Sequence, residues 1–455
     1  MSMGLWTVFS RGCTAAISFV ALVGCYATTT VQSFPPRYRV CQNEGEAERC
    51  GLIDELGDVK VPFELSKERF VSEFSEGRSL VRNAENEYGW LDAEGVVVVE
   101  PKYLFLCFPA EGLACFYAEA GCGFVDINGK EVIAAQWDRC GRFKEGQAAI
   151  DIDECYGYIG RDGEITIKPL YVEAGDFSEQ RALVRLAPSA PKELREKLGM
   201  KYGFIDLDGN PITQFEFDRA ESFQNGMAVV ARKVGEEPYD DETGVGVEDV
   251  FAYGYINADG ELVWPMEFTE AKSFNTSGFA PAKVCDPDGE CRAGMIRKDG
   301  TWQLEPKYDT ISEFSEGLAH VMWLDDGWMG YVNTHGDKVF AARGGSGFVN
   351  GVATVLFSWK EECGPVLVDI TGQPIFPFRA PGADTESGAF DENQVLVAPI
   401  DVDGVEYHEL VLHRERGVIW PPGWNTPGAG EGVLCWPELE AETETGGEET
   451  GGEEE

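Results

Sequence analysis

The feature of this 455-residue sequence that most constrains its fold is a short phrase that recurs at near-regular intervals. The phrase has an aromatic or small residue, a glycine, two apolar residues and a polar residue, and a glycine-containing turn follows it. Its glycines lie mostly 34 to 40 residues apart, with two longer gaps of 46 and 51. Repetition at this period is typical of arrays in which each unit completes its core against its neighbours. The eight central glycines are Gly51, Gly89, Gly123, Gly157, Gly203, Gly254, Gly294 and Gly330.

Each unit contains two further phrases in a fixed order. One is an apolar run that ends near a proline and an aromatic residue, as in residues 96–103. The other is a phenylalanine, two polar residues and a glycine, as in residues 143–146, followed by alternating small and apolar residues. Such alternation between turn signals predicts β-strands. We therefore predict an all-β fold of tandem three-stranded β-meander repeats in a propeller-like array, with an open β-solenoid or superhelix as the alternative.

The turn chemistry predicts how the strands are joined. Asp-x-x-Gly segments such as 92–95 predict tight hairpin turns, because the aspartate side chain accepts backbone hydrogen bonds and glycine adopts positive φ. The central glycine would let a ring or a neighbouring strand lie against it. The proline is expected to end the pairing of its strand. In the two long gaps, residues 188–200 predict a short charged helix and residues 235–250 an acidic loop.

The three phrases in this order resemble the WG repeat family of bacterial repeat proteins, in which an aromatic-Gly pair precedes an apolar-apolar-Asp strand. The resemblance covers about residues 50–358, with a degenerate extension to about 400. Tyr or Cys usually occupies the position of the family's tryptophan, as in the segments that begin at Tyr156 and Cys122. The resemblance implies a β-repeat fold. It implies no catalytic residues, since the family has no general enzymatic activity.

The N-terminus predicts export. Arg11 precedes an apolar run over residues 15–24, which is too short to cross a bilayer and is typical of a signal peptide. The run ends in Leu22-Val23-Gly24-Cys25, which resembles the lipobox of bacterial lipoproteins. This resemblance implies that Cys25 is lipidated and that the protein is held at the cell envelope. With Tyr26 after the cysteine, it also resembles outer-membrane sorting. An ordinary signal peptide and a secreted protein are the alternative.

The cysteines fit an oxidising compartment. Of the 13 cysteines, 11 lie beyond Cys25, and disulfides are therefore expected. Cys41–Cys50 and Cys285–Cys291 are predicted to bridge the ends of hairpins. Because the remaining number is odd, at least one thiol should be free or bonded to another chain. The other pairings cannot be deduced from the sequence.

The net charge and the spacing of the candidate motifs limit the functions that the chain can have. The formal net charge is −43, which disfavours nucleic acid as a partner because phosphate is repelled. His408 and His413 lack the spacing of a zinc-protease helix, since they stand five residues apart in a β-like run. The segment 286–290 is too short for a calcium loop and predicts a turn. We therefore predict no catalytic residues, no metal site and no cofactor.

The domain organisation follows from these signals. We predict a lipoprotein signal peptide over 1–24, a tether over 25–40, eight WG-like repeats over 41–358, a degenerate repeat or C-terminal cap over 359–436, and an acidic disordered tail over 437–455. The leading hypothesis is a non-enzymatic binding or scaffold protein of the cell envelope, whose partner is a protein or glycan that the sequence does not identify. The alternatives are an envelope glycan hydrolase or lyase with its site in the insertions, and a structural spacer.

Overall fold

The computed structural model of the chain describes residues 37–44, 47–66, 74–241, 244–357, 366–375, 395–402, 405–413 and 417–420. Its regular structure is almost entirely β, with 34 strands, one short α-helix and one 3-10 helix in this part of the chain. Within each sheet, consecutive strands are hydrogen-bonded neighbours, and they pair antiparallel. The prediction of an all-β repeat fold is confirmed.

The strands group into nine consecutive units and one further sheet. The last sheet spans 395–420, and its strand β33 (Val405–His413) contacts β1 (Tyr38–Glu44) of the first sheet. The units are unit 1 (38–66), unit 2 (74–103), unit 3 (104–137), unit 4 (138–171), unit 5 (172–217), unit 6 (218–268), unit 7 (269–308), unit 8 (309–342) and unit 9 (343–375).

The strand boundaries show the same order in successive units. Units 1 to 3 contain β1 (Tyr38–Glu44), β2 (Ala47–Ile53), β3 (Val59–Ser66), β4 (Ser79–Arg82), β5 (Tyr88–Leu91), β6 (Val97–Tyr103), β7 (Phe105–Leu106), β8 (Leu113–Ala118), β9 (Gly121–Asp126) and β10 (Glu131–Trp137). Units 4 to 6 contain β11 (Arg139–Cys140), β12 (Ala148–Ile152), β13 (Cys155–Ile159), β14 (Ile165–Ala174), β15 (Arg181–Leu186), α1 (Lys192–Leu198), β16 (Tyr202–Asp206), β17 (Arg219–Ala220), β18 (Met227–Asp241), β19 (Gly244–Asn257) and β20 (Leu262–Phe268). Units 7 to 9 and the last sheet contain β21 (Glu270–Ala271), β22 (Phe279–Cys285), β23 (Cys291–Arg297), β24 (Trp302–Tyr308), β25 (Thr310–Ile311), β26 (Leu318–Trp323), the 3-10 helix (Leu324–Asp326), β27 (Trp328–Asn333), β28 (Lys338–Ala341), β29 (Gly344–Gly345), β30 (Val352–Leu356), β31 (Val366–Asp369), β32 (Val395–Val402), β33 (Val405–His413) and β34 (Gly417–Trp420).

Units 3, 4, 6, 7 and 8 have four strands instead of the predicted three. The additional strand is the first of its unit and has only two residues, as β17 does. It lies directly after the Pro–aromatic phrase of the preceding unit. A two-residue strand is too short to produce an alternating pattern, which is why the sequence does not reveal it. Between units 4 and 5 no break occurs, because β14 is the fourth strand of one and the first of the next. The two units therefore share a six-stranded sheet, β11 to β16.

The central glycine of the repeated phrase lies under a bulge of the fourth strand. In unit 4, Tyr156 pairs with Tyr171 and Tyr158 with Ile167, so that a longer piece of β14 lies opposite Gly157. A Cβ on Gly157 would stand 2.5 Å from the Ile167 carbonyl oxygen and 2.7 Å from the Pro169 nitrogen. The neighbouring strand thus lies against the glycine, as one of the two predicted possibilities requires.

The proline belongs to this bulge. The prediction that it ends the pairing is wrong, because pairing resumes beyond Pro169 at Tyr171. Proline fits there since the bulged residues leave the hydrogen-bonded ladder and need no N–H donor. In unit 5 the second predicted possibility is found, and the ring of Phe215 covers Gly203.

The Asp-x-x-Gly turns have the predicted chemistry. The Asp92 Oδ1 atom accepts hydrogen bonds from the backbone N–H groups of Glu94 and Val96 at 3.0 and 2.9 Å. In the next unit, Gly129 has a φ of 77°, and a Cβ there would lie 2.3 Å from Cγ2 of Val99 in the unit before. The turn glycine therefore both permits the turn and lets consecutive units approach closely.

Hydrophobic cores lie between neighbouring units. Between units 4 and 5, Tyr158 is fully buried with Val184 and Leu186, and its ring meets that of Phe177 edge-on at 4.9 Å. Because both faces of an inner sheet are used in this way, a single unit cannot bury its own apolar surface. Corresponding clusters fill each interface from units 1 and 2 to units 8 and 9.

The phenylalanine phrase forms a two-residue turn between the first and second strands. In unit 4, Lys144 and Gln147 exchange both backbone hydrogen bonds, at 2.9 and 3.0 Å. The two residues between them, Glu145 and Gly146, have φ values of 51° and 80°. Two consecutive positive φ angles are the signature of a type I′ turn. A glutamate in the left-handed region is uncommon and calls for compensation from its surroundings.

The turn glutamate supplies that compensation by bonding to the turn of the following unit. The Glu111 carboxylate of unit 3 accepts hydrogen bonds from the N–H groups of Glu145 and Gly146 at 2.6 and 3.0 Å. In unit 6 asparagine replaces glutamate, and the Asn225 amide donates to the Phe274 carbonyl of the next turn. In unit 7 the residue directly after the phenylalanine, Asn275, donates to the Phe314 carbonyl. Side chain-to-turn bonds therefore join units 2 to 9 in an unbroken series. The other glutamate bonds are Glu76 to Gly112, Glu145 to Gln180, Glu179 to Gly226 and Glu316 to Gly351.

Substitution of Glu111 by alanine should lower the free energy of unfolding by about 1 kcal/mol, because two charge-assisted bonds between units are lost but water reaches the partly exposed site. Urea unfolding of residues 26–455 measures the change. The matched control is Glu94→Ala, since the side chain of Glu94 makes no hydrogen bond in the described part of the chain and its turn uses only its backbone. Equal effects of the two substitutions would contradict the role of the Glu111 carboxylate.

The two insertions differ in how well they match the prediction. Helix α1 (Lys192–Leu198) occupies the first one, as predicted. The prediction of a loop for the second is wrong, because β18 and β19 continue through it as a hairpin, paired out to Asp241 and Gly244. Acidic residues have low β propensity, and here cross-strand pairing outweighs it. An ion pair of 2.6 Å between Lys233 and Asp249 joins the two strands near the base of this extension.

Four disulfides are present in the described residues. Two are Cys41–Cys50 and Cys285–Cys291, the pairs expected from the sequence. The others are Cys107–Cys115 within unit 3 and Cys122–Cys140 between units 3 and 4. Cys155 is a free thiol. None of the helices described is both long and apolar enough to cross a bilayer.

Candidate interaction surface

The antiparallel order of the strands gives each unit two distinct ends. The turns between first and second strands and between third and fourth strands lie at one end. The connections between second and third strands lie at the other, which we call the insertion end. It carries α1 in unit 5, the extension 233–252 in unit 6 and the Cys285–Cys291 hairpin in unit 7. The irregular parts of three consecutive units are therefore concentrated at the same end.

A row of directly paired side chains lies near this end. In units 4 to 7, one residue from each of the first three strands lies at the same level, and we call this set a cross-strand triple. In unit 4 the triple is Arg139, Asp151 and Tyr156. The triples of the next three units are Glu173, Arg185 and Tyr202; Arg219, Ala231 and Tyr253; and Glu270, Lys283 and Ala293.

In units 4 to 6 the tyrosine of the triple bonds to the charged residue of the first strand. Arg139 Nη1 donates to the Tyr156 hydroxyl at 3.2 Å, and Arg219 Nη1 donates to the Tyr253 hydroxyl at the same distance. In unit 5 the charge is reversed, so that the Tyr202 hydroxyl donates to Glu173. That hydrogen bond, together with burial, raises the pKa of Tyr202. Three half-buried tyrosines with fixed hydroxyls thus lie in consecutive units.

Three of these triples contain an ion pair between the first and second strands. Arg139 Nε lies 3.8 Å from Asp151, Lys283 Nζ lies 3.2 Å from Glu270, and Glu173 pairs with Arg185. Unit 6 is different, since the second-strand position is the fully buried Ala231. No carboxylate of the described residues forms an ion pair with Arg219.

A cavity of about 300 Å³ lies beside Arg219. Its walls include the two tyrosines Tyr202 and Tyr253, and Ala231 lies where the other triples carry a charge. Glu221 also lines it, and its carboxylate accepts a hydrogen bond from Ser273 of unit 7 at 2.8 Å. The site therefore combines aromatic walls, one arginine and one carboxylate, a composition typical of small-molecule sites.

The extension of unit 6 helps to hold Arg219. The guanidinium lies 3.8 Å from the ring centroid of Phe251, which belongs to the paired extension. Such a cation–π contact fixes the plane of the guanidinium. A second cavity of about 340 Å³ is lined by residues of the same hairpin, but its Arg232 is already paired with Glu216 at 2.5 Å.

The other residues considered in the sequence fall into three groups. Cys25 and the tail 437–455 lie outside the described residues. His408 and His413 lie on the strand β33, so this backbone does not form the helix that a zinc-protease motif needs. The segment 286–290 is a turn, in which Asp286 Oδ1 accepts from two backbone N–H groups. Among the described residues there is no group of three or more His, Cys, Asp or Glu that could hold a metal ion.

The remaining histidine of note has a structural position. His320 in unit 8 is partly buried, and its Nε2 atom lies 3.2 Å from the Ala342 carbonyl oxygen. Burial lowers the pKa of His320. These features indicate a structural role for His320.

The cross-strand triples were not predicted from the sequence. Arg219, Ala231 and Tyr253 are far apart in the chain, and only the strand register brings them to one level. A signal does exist, because Tyr156, Tyr202 and Tyr253 occupy the same position before the central glycine. That signal identifies the tyrosines but not their partners.

Comparison with known families follows the repeat geometry. The profile of the family described as WG containing repeat matches residues 123–154, 156–187, 202–232, 253–284 and 294–328. This chain is a WG repeat protein. Each matched WG repeat begins on the third strand of one unit and ends near the second strand of the next. A sequence repeat therefore spans parts of two neighbouring units.

Comparisons with whole proteins add little to this family assignment. No curated protein matches the chain. Hsv2 from Kluyvelomyces marxianus is 12% identical, with 66% of this chain and 93% of that chain covered at a TM-score of 0.28. The biofilm matrix protein Bap1 of V. cholerae is 9% identical, with 83% and 84% covered at 0.23. A Bacteroides caccae protein of unknown function is 12% identical, with 59% and 93% covered at 0.19. At these TM-scores the likenesses carry no argument about this chain.

Proposed function

We propose that this WG repeat protein is a non-enzymatic binding or scaffold protein of the cell envelope, which presents its insertion end to a glycan or protein partner. The observation that carries the proposal is the row of cross-strand triples, with half-buried tyrosines and charged groups repeated in units 4 to 6. Aromatic residues and arginine are the residue types that contribute most to binding at interfaces. A repeated row of them fits an extended partner.

Binding is favoured over catalysis by the content of the cavity. Glycoside hydrolysis ordinarily uses two carboxylates on opposite sides of the scissile bond. Among the residues that line the cavity beside Arg219, Glu221 is the one carboxylate, and one of its oxygens accepts a hydrogen bond from Ser273. These features suit the recognition of a ligand better than the hydrolysis of a glycosidic bond.

The location at the envelope rests on two separate arguments. The four disulfides are compatible with an extracytoplasmic protein, because such bonds persist in oxidising compartments. The anchor rests on Leu22-Val23-Gly24-Cys25, which lies outside the described residues. In this proposal the diacylated Cys25 holds the array at the membrane, on the outer membrane in a Gram-negative cell.

The binding role is tested by titrating isolated cell envelope against immobilised residues 26–455. We expect saturable binding that survives high salt, and its loss when Tyr156, Tyr202 and Tyr253 are all changed to alanine. A matched control changes Glu94, Glu164 and Asp259 at the opposite end to the corresponding amides. Thermal unfolding must show that both variants fold. Unaltered binding by the folded tyrosine variant would exclude this surface, and a lack of saturable binding would exclude the function.

The anchor is tested by growing cells that express the full chain with labelled palmitate. We expect label in the protein and a membrane-bound protein. The Cys25→Ser variant should carry no label and should leave the membrane fraction. Label in the Cys25→Ser variant, or none in the parent chain, would contradict the anchor while leaving the binding role intact.

A further inference from the structure

We infer that Arg219 and the cavity beside it form a binding site for an acidic sugar, in which the guanidinium bonds to the sugar carboxylate. This inference rests on the proposed glycan-binding function and adds the chemical class of the ligand. It starts from a difference between repeats. Three of four consecutive cross-strand triples contain an internal ion pair, whereas unit 6 has the arginine without the carboxylate.

The missing carboxylate leaves a matching space. In unit 4 the second-strand position opposite Arg139 is Asp151, and in unit 6 the position opposite Arg219 is Ala231. Ala231 is a lining residue of the cavity of about 300 Å³. A carboxylate that enters this cavity would occupy the place that a side chain of the protein fills in unit 4.

The side chain of Arg219 is already oriented by the protein before a ligand binds. Its Nη1 atom donates to the Tyr253 hydroxyl at 3.2 Å, and Phe251 lies under its plane at 3.8 Å. A guanidinium has five N–H donors, and in the described residues only the bond to Tyr253 is made. The remaining donors can therefore form the paired bonds that a carboxylate accepts. Because two contacts already orient the group, little conformational freedom is lost on binding.

The walls favour a sugar over an acidic peptide side chain. Tyr202 and Tyr253 line the cavity with half-buried rings, and the C–H faces of a pyranose pack well on such rings. Glu221 accepts one hydrogen bond from Ser273 at Oε2, and its remaining lone pairs can accept from sugar hydroxyls, which an Asp or Glu side chain lacks. A cavity of this size lies at the lower end of the range for small ligands, which suits one sugar residue.

The overall charge restricts the ligand further. The chain has a formal net charge of −43, so a dense polyanion is repelled. Charges more than about 8 Å apart are largely screened at physiological ionic strength. A single carboxylate that contacts Arg219 therefore experiences mainly the local positive charge. This combination favours a ligand with a single carboxylate at the site, such as one uronic acid residue.

The experiment is a ligand-detected NMR titration of residues 26–455 with glucuronate and galacturonate. The controls are glucose and galactose, which keep the ring and lack the carboxylate, and glutamate, which keeps the carboxylate and lacks the ring. We expect at least one uronate to bind, with its neutral counterpart and glutamate about tenfold weaker or more. Equal binding of a uronate and its neutral hexose, or preference for glutamate, would overturn the inference.

Two variants locate the site. Ala231→Asp restores the ion pair that unit 4 has, and it should abolish uronate binding by occupying both the guanidinium and the space. Arg219→Gln tests the same point if the first variant does not fold. The matched control is Arg161→Gln in unit 4, at the end opposite the tyrosine row, where the arginine lies 3.8 Å from Glu111, and this variant should bind as the parent does. Retained binding in folded Arg219→Gln would place the site elsewhere.

The outcomes separate this inference from the function on which it rests. If no uronate binds while residues 26–455 still bind envelope through the tyrosine row, the acidic-sugar site is wrong and the binding role stands. If the uronate binds and Arg219→Gln removes that binding, the site is established. It stays established even if the whole envelope preparation fails to bind, in which case the broader scaffold role is lost.

Discussion

Replacing Gly157 by alanine is expected to lower the free energy of unfolding by about 3 kcal/mol, because the added methyl group meets backbone that has no room to move. The new Cβ would stand 2.5 Å from the Ile167 carbonyl oxygen and 2.7 Å from the Pro169 nitrogen. Relief of this clash requires β14 to move away from β13. Since β14 also begins unit 5, the displacement would disturb the interface with the next unit.

The control for this substitution is Gly235→Ala in the hairpin extension of unit 6. There the nearest atom to a new Cβ is Cβ of Val250 at 4.0 Å, which is ordinary contact. We expect a change of no more than about 0.5 kcal/mol at this partly exposed site, because the added methyl group meets no close neighbour. Urea unfolding of residues 26–455, followed by circular dichroism, compares the two variants with the parent. Similar midpoints for all three proteins would show that the bulge adjusts freely and that the glycine is not required.

The same glycine shows how far the sequence could predict the fold. Turn formation and strand alternation are local, so the Asp-x-x-Gly turns and the all-β class follow directly from short stretches of sequence. The sequence predicted that either a ring or a neighbouring strand would lie against the central glycine, and at Gly157 it is a strand. The role of Pro169 was not, because a proline that ends a strand and one that forms a bulge within it have the same local sequence.

Features that depend on register lie beyond what the sequence pattern reveals. The phrase around Glu145 marks a turn, but its bond to Gln180 joins two units and has no local signal. The extension of β18 and β19 resembles an acidic loop until its two halves are paired. The candidate site depends on register in the same way, since only pairing places Ala231 opposite Arg219. The tyrosines of the row could be found from the sequence because they occupy the same position in each repeat. The absence of a carboxylate opposite Arg219 could not be found in this way.

Removing the disulfide Cys122–Cys140, by changing both residues to alanine, is expected to lower the free energy of unfolding by about 3 kcal/mol. This bond closes a loop with a sequence separation of 18 residues, and it joins β9 of unit 3 to β11 of unit 4. Most of its expected effect comes from the greater freedom of the unfolded chain. Loss of sulfur from the fully buried Cys122, in the core between units 3 and 4, adds to it.

The matched control removes Cys285–Cys291 in the same way, since that bond has a separation of 6 and lies within one hairpin. Its loss should cost about 2 kcal/mol, because a shorter loop restricts the unfolded chain less. Urea midpoints under oxidising conditions give both values. The comparison also bears on the compartment, because a chain that needs the bond between units 3 and 4 should fold poorly where thiols stay reduced. If the loss of Cys122–Cys140 lowers the free energy of unfolding no more than the loss of Cys285–Cys291, the packing between units 3 and 4 holds them together without the bond. The disulfides would then give no reason to expect that the chain folds only in an oxidising compartment.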